Sequence, residues 1–436
     1  MAAWIALPLS LRLLLLGGIG LLAGALVNWA IYALAWFPLP VSPWSPVPGS
    51  AARRAWPTRI PVVGWWLRGT ESADQRIWAV ARFQKLGYEV PADWRPRLPF
   101  WLRPLLIEVG LGLALPGLYW LETEAGTLLP EVWRQPATLA GLAPWTNWIF
   151  WGHAVLLLLM VVATFIDLDE QTIPDAITVP GTLFALVWGT VSLAAFLPCT
   201  VNGQLLPCLM TLPSGWSPQS SGTAGLLLAI AIWTAWCFAL ANRRVILRRG
   251  WKKGVQYFFA ALVRPPGWKV LAGLFVAGLL AIPGVWGLLG GAHWQGLLTA
   301  LVGLAVGGGT VWAVRLVAGW AMGEEAMGFG DVTLMGMIGA FLGWQASLMA
   351  FFLAPLAAIA IFLLQRILTG ERAQAFGPYL CVGAAATVLG WPTFWGGLLL
   401  PNLNPLTLTV LLACLLLMGV LLSLWRGIKA LLWGGR

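Results

Sequence analysis

Two acidic clusters stand where apolar runs end or begin. One is Phe165-Ile166-Asp167-Leu168-Asp169-Glu170-Gln171-Thr172-Ile173-Pro174-Asp175. The other, Gly323 to Asp331, closes on Gly328-Phe329-Gly330-Asp331 and runs directly into the apolar segment from Val332 to Phe341. The chain has only 16 Asp and Glu in 436 residues, and most fall between apolar runs. A carboxylate at the edge of hydrocarbon is costly unless it faces a polar cavity or a partner, so such residues are functional candidates by default. The chemistry open to a pair of them is hydrolysis. One ionised carboxylate takes a proton from water while the other, protonated, polarises the carbonyl under attack. Two nearby carboxylates resist ionising together, so their pKa values split and the pair titrates as a unit. Asp167 and Asp331 are the candidate catalytic pair.

Gly328 and Gly330 allow a tight or left-handed backbone and the close approach of another chain, as an extended substrate would require. With Pro174 and Asp175 they form the expected path of substrate approach. Pro174 marks a break before the next helix, and Asp175 reads foremost as a residue of that helix's first turn. Asp169 and Glu170 read as solvated loop charges. Glu324 and Glu325 read as loop residues able to meet a basic peptide.

Other hydrolytic centres are disfavoured by composition. The two histidines, His153 and His293, are far apart and in no H-E-x-x-H motif, and neither accompanies a nucleophile motif. Both read as interfacial side chains. No phosphate-binding G-x-x-x-x-G-K-[ST] loop occurs. Cys199, Cys208, Cys237, Cys381 and Cys414 contain no C-x-x-C pair, so no metal site is readable. Cys199 and Cys208 share one expected external loop, where a disulfide is an open alternative.

The elements that position the two acids are membrane helices. The chain is 59% hydrophobic and 10% charged, against about a quarter charged in a soluble domain. Apolar runs near 11–36, 104–121, 147–166, 176–197, 224–241, 270–290, 296–320, 332–343, 346–365, 378–396 and 405–425 give an all-α polytopic protein of about 11 transmembrane helices. The eighth is short, consistent with tilt or re-entry. The first is too long for a signal-peptide core and reads as a retained helix.

The net charge of +10 gathers in Arg53–Arg103, Arg243–Lys269, Arg366–Arg372 and Arg426–Arg436. Cytoplasmic loops obeying the positive-inside bias account for this, and nucleic acid is not an expected partner. Anionic lipid is. An outside N-terminus, a basic cytoplasmic loop after the first helix and a cytoplasmic C-terminus satisfy all the loops together, and place both aspartates at cytoplasmic helix ends. The 30 tryptophans read mainly as interfacial anchors.

At these residues the sequence resembles the prepilin peptidases, or type IV leader peptidases, a family of membrane aspartyl peptidases. Ile166-Asp167 through Ile173-Pro174-Asp175 is similar to the family's I-D-x(5)-[IL]-P-D segment. Gly328-Phe329-Gly330-Asp331-Val332 is similar to its G-x-G-D-[VI] segment, continued by Gly339, Leu342, Gly343 and Trp344. Phe376-Gly377-Pro378-Tyr379-Leu380 resembles its F-G-P-[FY]-L segment. Gly24 to Tyr32 and Arg59 to Trp65 look like its G-S-x-x-N-x-x-I-Y and N-I-P-x-x-S-W segments. The resemblance implies Asp167 and Asp331 as a catalytic dyad in the bacterial inner membrane. It implies cleavage of basic leaders from type IV prepilin-like or pseudopilin-like proteins, on the cytoplasmic side, after a glycine preceding the substrate's apolar helix. Many members also methylate the new N-terminus with S-adenosylmethionine.

The chain departs from that pattern in three places. No cysteine occurs between Val41 and Arg103, where the family usually holds two zinc-binding C-x-x-C pairs. No metal is therefore expected, the peptidase needs no cofactor, and S-adenosylmethionine enters only if methyl transfer is retained. An insertion at about 242–320 separates the two acidic segments, and a last span is added. The expected organisation is 1–103, a first helix and a loop resembling a degenerate N-methylation region; 104–400, the peptidase region; and 401–436, an extra helix and basic tail. A proton-coupled transporter, with Arg315 as its best supporting residue, and an inactive membrane assembly protein of the same fold are the alternatives.

Overall fold

Leucine- and alanine-rich runs have high helix propensity, and a backbone in lipid must satisfy its own hydrogen bonds. The computed structural model is accordingly helical. It describes residues 1–38, 42–44, 56–68, 101–241, 268–323, 327–368, 375–403 and 405–433. Most of the basic stretches 53–103 and 243–269, together with Glu324 and Glu325, lie outside the described residues.

The main helices are α1 (Leu9–Ala33), α2 (Leu102–Tyr119), α3 (Pro136–Glu170), α4 (Asp175–Val191), α5 (Thr223–Ala241), α6 (Trp268–Gly284) and α7 (Gly291–Met322). They continue with α8 (Phe329–Leu342), α9 (Trp344–Leu368), α10 (Gly377–Leu389) and α11 (Pro405–Trp433). One antiparallel hairpin, β1 (Pro198–Val201) with β2 (Gln204–Pro207), pairs Cys199 with Leu206.

The chain is a multi-pass membrane protein. Seven helices are long and apolar enough to cross a bilayer, or eight if Gly377–Leu389 and Trp391–Asn402, bent by 85°, make one span. Asp175–Val191, Phe329–Leu342 and Leu412–Gly427 are shorter apolar helices. All eleven expected segments contain helix, but length and composition support seven or eight spans among the described residues. The reason is reach: the 17 residues of α4 rise only about 25 Å, short of a hydrocarbon core of roughly 30 Å.

The chain divides into two compact units, Met1–Thr178 with Leu363–Cys381, and Val179–Phe362 with Val382–Arg436. In the first, α1, α2 and α3 pack on one another. Buried polar side chains fix their register. Glu108 accepts from Asn28 Nδ2 (3.1 Å), Trp65 Nε1 (2.7 Å) and the Val62 amide (2.5 Å), tying the 56–68 segment to α1 and α2. Toward the other ends of α1 and α2, Arg12 meets Glu124 at 3.3 Å and Tyr119, whose hydroxyl donates to Asn147 at 2.9 Å. His153 is buried, with Nδ1 2.7 Å from the equally buried Glu122. It is thus an interior partner of a carboxylate rather than an interfacial side chain, because an unpaired Glu122 in that position would be costly.

In the second unit α7 packs along α8. A side chain on either Gly303 or Gly339 would strike the other's carbonyl oxygen, so only glycine permits this crossing. Three buried or half-buried indoles donate to the hairpin and the loop after it. Trp391 reaches Pro198 O at 2.7 Å, Trp395 reaches Thr200 O at 3.0 Å and Trp344 reaches Met210 O at 2.8 Å. These tryptophans are structural clamps. Trp320, 77% exposed, keeps the character of a surface anchor. Cys199 and Cys208 are both buried and are not bonded to each other.

Candidate active site

Asp167 sits in the last turn of α3, which ends where Gln171 adopts φ 53° and donates its amide to Asp167 O at 2.8 Å. The carboxylate is only 5% exposed. Its Oδ2 accepts the backbone N–H of Gly377 at 3.0 Å, from the first residue of α10. Ile173 closes the same place. A Cβ on Gly377 would lie 2.7 Å from Asp167 Oδ2 and 2.8 Å from Ile173 Cδ1.

The flanking acids clamp this helix end. Asp169 accepts from Arg103 at 2.8 Å, and Arg103 stacks 4.5 Å over the Phe165 ring. Glu170 accepts the amides of Trp36 at 2.7 Å and Phe37 at 3.1 Å, capping the chain that leaves α1. Asp169 is exposed and Glu170 half-buried, but neither is a loop charge. Both belong to the final turn of α3 and join it to α2 and to the segment after α1. Asp175 lies in the first turn of α4, directly after Pro174, as a helix-start residue should.

Asp331 is the third residue of α8 and is 6% exposed; every residue from Asp331 to Leu342 is buried. Gly328 is the N-cap, at φ −68°. Neither Gly328 nor Gly330 takes a left-handed backbone, so the left-handed alternative is not used here. A Cβ on Gly328 would lie 3.5 Å from Asp331 Oδ2, an ordinary contact. The turn is held instead by Arg315. Its Nε donates to Met327 O at 2.9 Å and its guanidinium lies 5.7 Å from the Phe329 ring centroid. Thr333 Oγ1 donates back to Gly330 O at 3.0 Å. Beside this turn an apolar cavity of about 530 Å³ opens between α5, α7 and α8, reaching Phe329 and Val332.

Each acid therefore occupies a helix terminus, nearly buried, with a dedicated support. Such sites suit groups whose protonation is set by their surroundings. Gly377, Arg103 and Arg315 were not assigned these roles from sequence. The sequence signals for Gly377 were its place in the Phe376 to Leu380 segment and a Gly-Pro pair, which opens helices well. Among the described residues no cluster of His, Cys, Asp and Glu could hold a metal ion.

Comparison with known proteins places these features. Residues 268–364, which include Asp331, match the type IV leader peptidase family. A prepilin leader peptidase/N-methyltransferase of Klebsiella pneumoniae is 33% identical over 125 residues, covering 24% of this chain and 55% of that protein. Proteins of the same name from Neisseria gonorrhoeae (32% over 123 residues, 26% and 43% covered) and Aeromonas hydrophila (33% over 110 residues, 20% and 37% covered) also align. The chain thus spans roughly half, or less, of the length of these relatives. No solved structure matches. Over its 268–364 segment the chain is thus similar to the type IV leader peptidase family, and over part of its length to the prepilin leader peptidases.

Proposed function

We propose that the chain is a membrane aspartic endopeptidase that removes basic leaders from prepilin-like or pseudopilin-like proteins, with Asp167 and Asp331 acting on one shared water. The observation that carries this reading is the pair of buried carboxylates, 5% and 6% exposed, each at the terminus of an apolar helix. The similarity of residues 268–364 to the type IV leader peptidase family supports the substrate class.

In the proposed reaction one carboxylate accepts a proton from water as the oxygen attacks the scissile carbonyl carbon. The other gives its proton to the carbonyl oxygen. Collapse of the resulting diol passes a proton to the leaving amine, breaks the C–N bond and restores the shared proton of the pair. The substrate would approach along Gly328, Gly330, Pro174 and Asp175. The acids would face the cytoplasm, with the N-terminus outside and the C-terminus inside the inner membrane.

No step runs through a metal. The loop that holds zinc-binding cysteine pairs elsewhere in the family has none here between Val41 and Arg103, so the residues present do not fit that ion. Methyl transfer from S-adenosylmethionine stands apart from this proposal.

Asp167→Asn and Asp331→Asn are each expected to lower cleavage by at least about a thousandfold, since the two groups act as one unit. The measurement is the mass of the product N-terminus after incubation with a prepilin-like substrate, alongside thermal unfolding of each variant. Full cleavage by either folded variant removes that residue from the mechanism.

A further inference from the structure

A carboxylate near a helix C-terminus is poorly placed electrostatically, because the last carbonyls present partial negative charge. Asp167 is in that position, in the final turn of α3. Something must orient the group and offset the carbonyls. The structure supplies a backbone amide from far along the chain, Gly377 N–H, donating to Asp167 Oδ2 at 3.0 Å.

Two features make this contact specific. The amide comes from the first residue of α10, one of the groups a helix leaves without an internal partner. A side chain at the donor residue would also press on the carboxylate that the amide holds. A Cβ there would lie 2.7 Å from the oxygen that the amide holds and 2.8 Å from Ile173 Cδ1. Asp167 and Ile173 are both nearly buried, and an added Cβ would require one or both side chains to shift. Pro378 follows at the second position of α10, where its missing N–H costs nothing and its ring fixes the helix start.

The neighbouring acids are otherwise engaged. Asp169 is taken by Arg103, and Glu170 by the Trp36 and Phe37 amides. The Gly377 amide is therefore directed to the one acid of this helix end that the proposed reaction uses.

We infer that Gly377 is a positioning residue for hydrolysis: its amide fixes Oδ2 of Asp167, and so sets the orientation of the carboxylate toward water. This rests on the reading of Asp167 as one of the catalytic pair. The residue touches neither substrate nor water in this role. It acts only through Asp167.

The test uses the full-length, detergent-solubilised chain and a synthetic prepilin-like peptide bearing a basic leader. Gly377→Ala adds the obstructing carbon. Replacing Gly377 by glycolic acid, which turns its amide into an ester, removes the N–H, adds no side chain and turns an ester oxygen toward Asp167 Oδ2. Both are expected to lower kcat by about tenfold to a hundredfold, the usual weight of a hydrogen bond to a charged group, with KM changed less than about twofold. Purely structural damage would instead lower the folded fraction and leave kcat per folded molecule unchanged. If Gly377→Ala does not fold, the ester variant decides. Wild-type kcat in the ester variant overturns the inference. Asp167→Asn is run beside them. If it cleaves normally, the reading of Asp167 has failed; if it is inactive while the ester variant is normal, only the role of Gly377 has.

Discussion

The two acidic helix ends are buried to the same degree but supported differently. Asp331 begins a helix and draws on its own neighbourhood. Arg315, Met327, Phe329, Gly330 and Thr333, all within 16 residues, shape its turn. Asp167 ends a helix of 35 residues and depends on groups distant in sequence. Gly377 lies 210 residues away, Arg103 lies 66 from Asp169, and Trp36 lies 134 from Glu170. A helix N-terminus favours a carboxylate, whereas a C-terminus does not. Asp167, the acid in the poor electrostatic position, takes the amide of Gly377 from far along the chain.

The first way to break this comparison is to disturb the local unit itself. Gly339→Val would drive a branched side chain into the backbone of α7 at Gly303. Overpacking of this kind costs about 1–3 kcal/mol or more. We expect a drop of many degrees in the unfolding temperature of solubilised protein, followed by tryptophan fluorescence or protease resistance. Wild-type stability would show that the close crossing is dispensable.

Smaller effects separate the two supports. Arg103→Ala removes the partner of Asp169 and the stack on Phe165. The pair is partly exposed, with side-chain accessibilities of 27% and 38%, so its loss should cost no more than about 1 kcal/mol. Because the end of α3 carries Asp167, we expect cleavage to fall about tenfold, measured as kcat on the leader peptide. Arg315→Ala should cost less, about threefold, because α8 remains buried along its length and still holds Asp331. Arg315→Lys should not restore the loss, since an ammonium cannot reproduce a directed Nε–H together with a planar stack on Phe329. A larger loss from Arg315→Ala than from Arg103→Ala would reverse the comparison.

The same distinction explains what could be read in the sequence. Gly328-Phe329-Gly330-Asp331 followed by an apolar run announced a helix starting at an acid, and α8 starts there. Ile166-Asp167 and Pro174-Asp175 likewise marked the end of α3 and the start of α4. The helical segments were legible because lipid demands apolar runs. The number that span was not, because a 14-residue helix such as α8 is as apolar as a longer one and hydropathy does not report reach. Asp169 and Glu170 were misread as loop charges, since their partners Arg103, Trp36 and Phe37 carry no local signature. His153 was misread for the same reason: its partner Glu122 is 31 residues away. What failed was the pairing of distant polar groups, and Gly377 is the extreme case.

The β-hairpin combines its own backbone pairing with indole clamps from distant segments. Cys199 and Cys208 are nine residues apart, both buried, and the Cys208 amide donates to Leu197 O at 2.8 Å. Burial, and secondarily the neighbouring Cys208, push the Cys199 thiol well above its ordinary value of 9.0. When the hairpin unfolds, that thiol ionises near the ordinary value, while the folded form keeps its proton. The unfolded state then binds fewer protons than the folded one, so stability is complete below pH 9 and declines as pH rises beyond it. Cys199 should accordingly resist alkylation at pH 8 in the folded protein and react once the chain is denatured, read as mass addition on its peptide. Rapid labelling of Cys199 in the native state would show that the hairpin opens on its own. Failure to label after denaturation until reductant is added would show that the two sulfurs are joined. In that case local support here is covalent, and the decline above pH 9 should vanish.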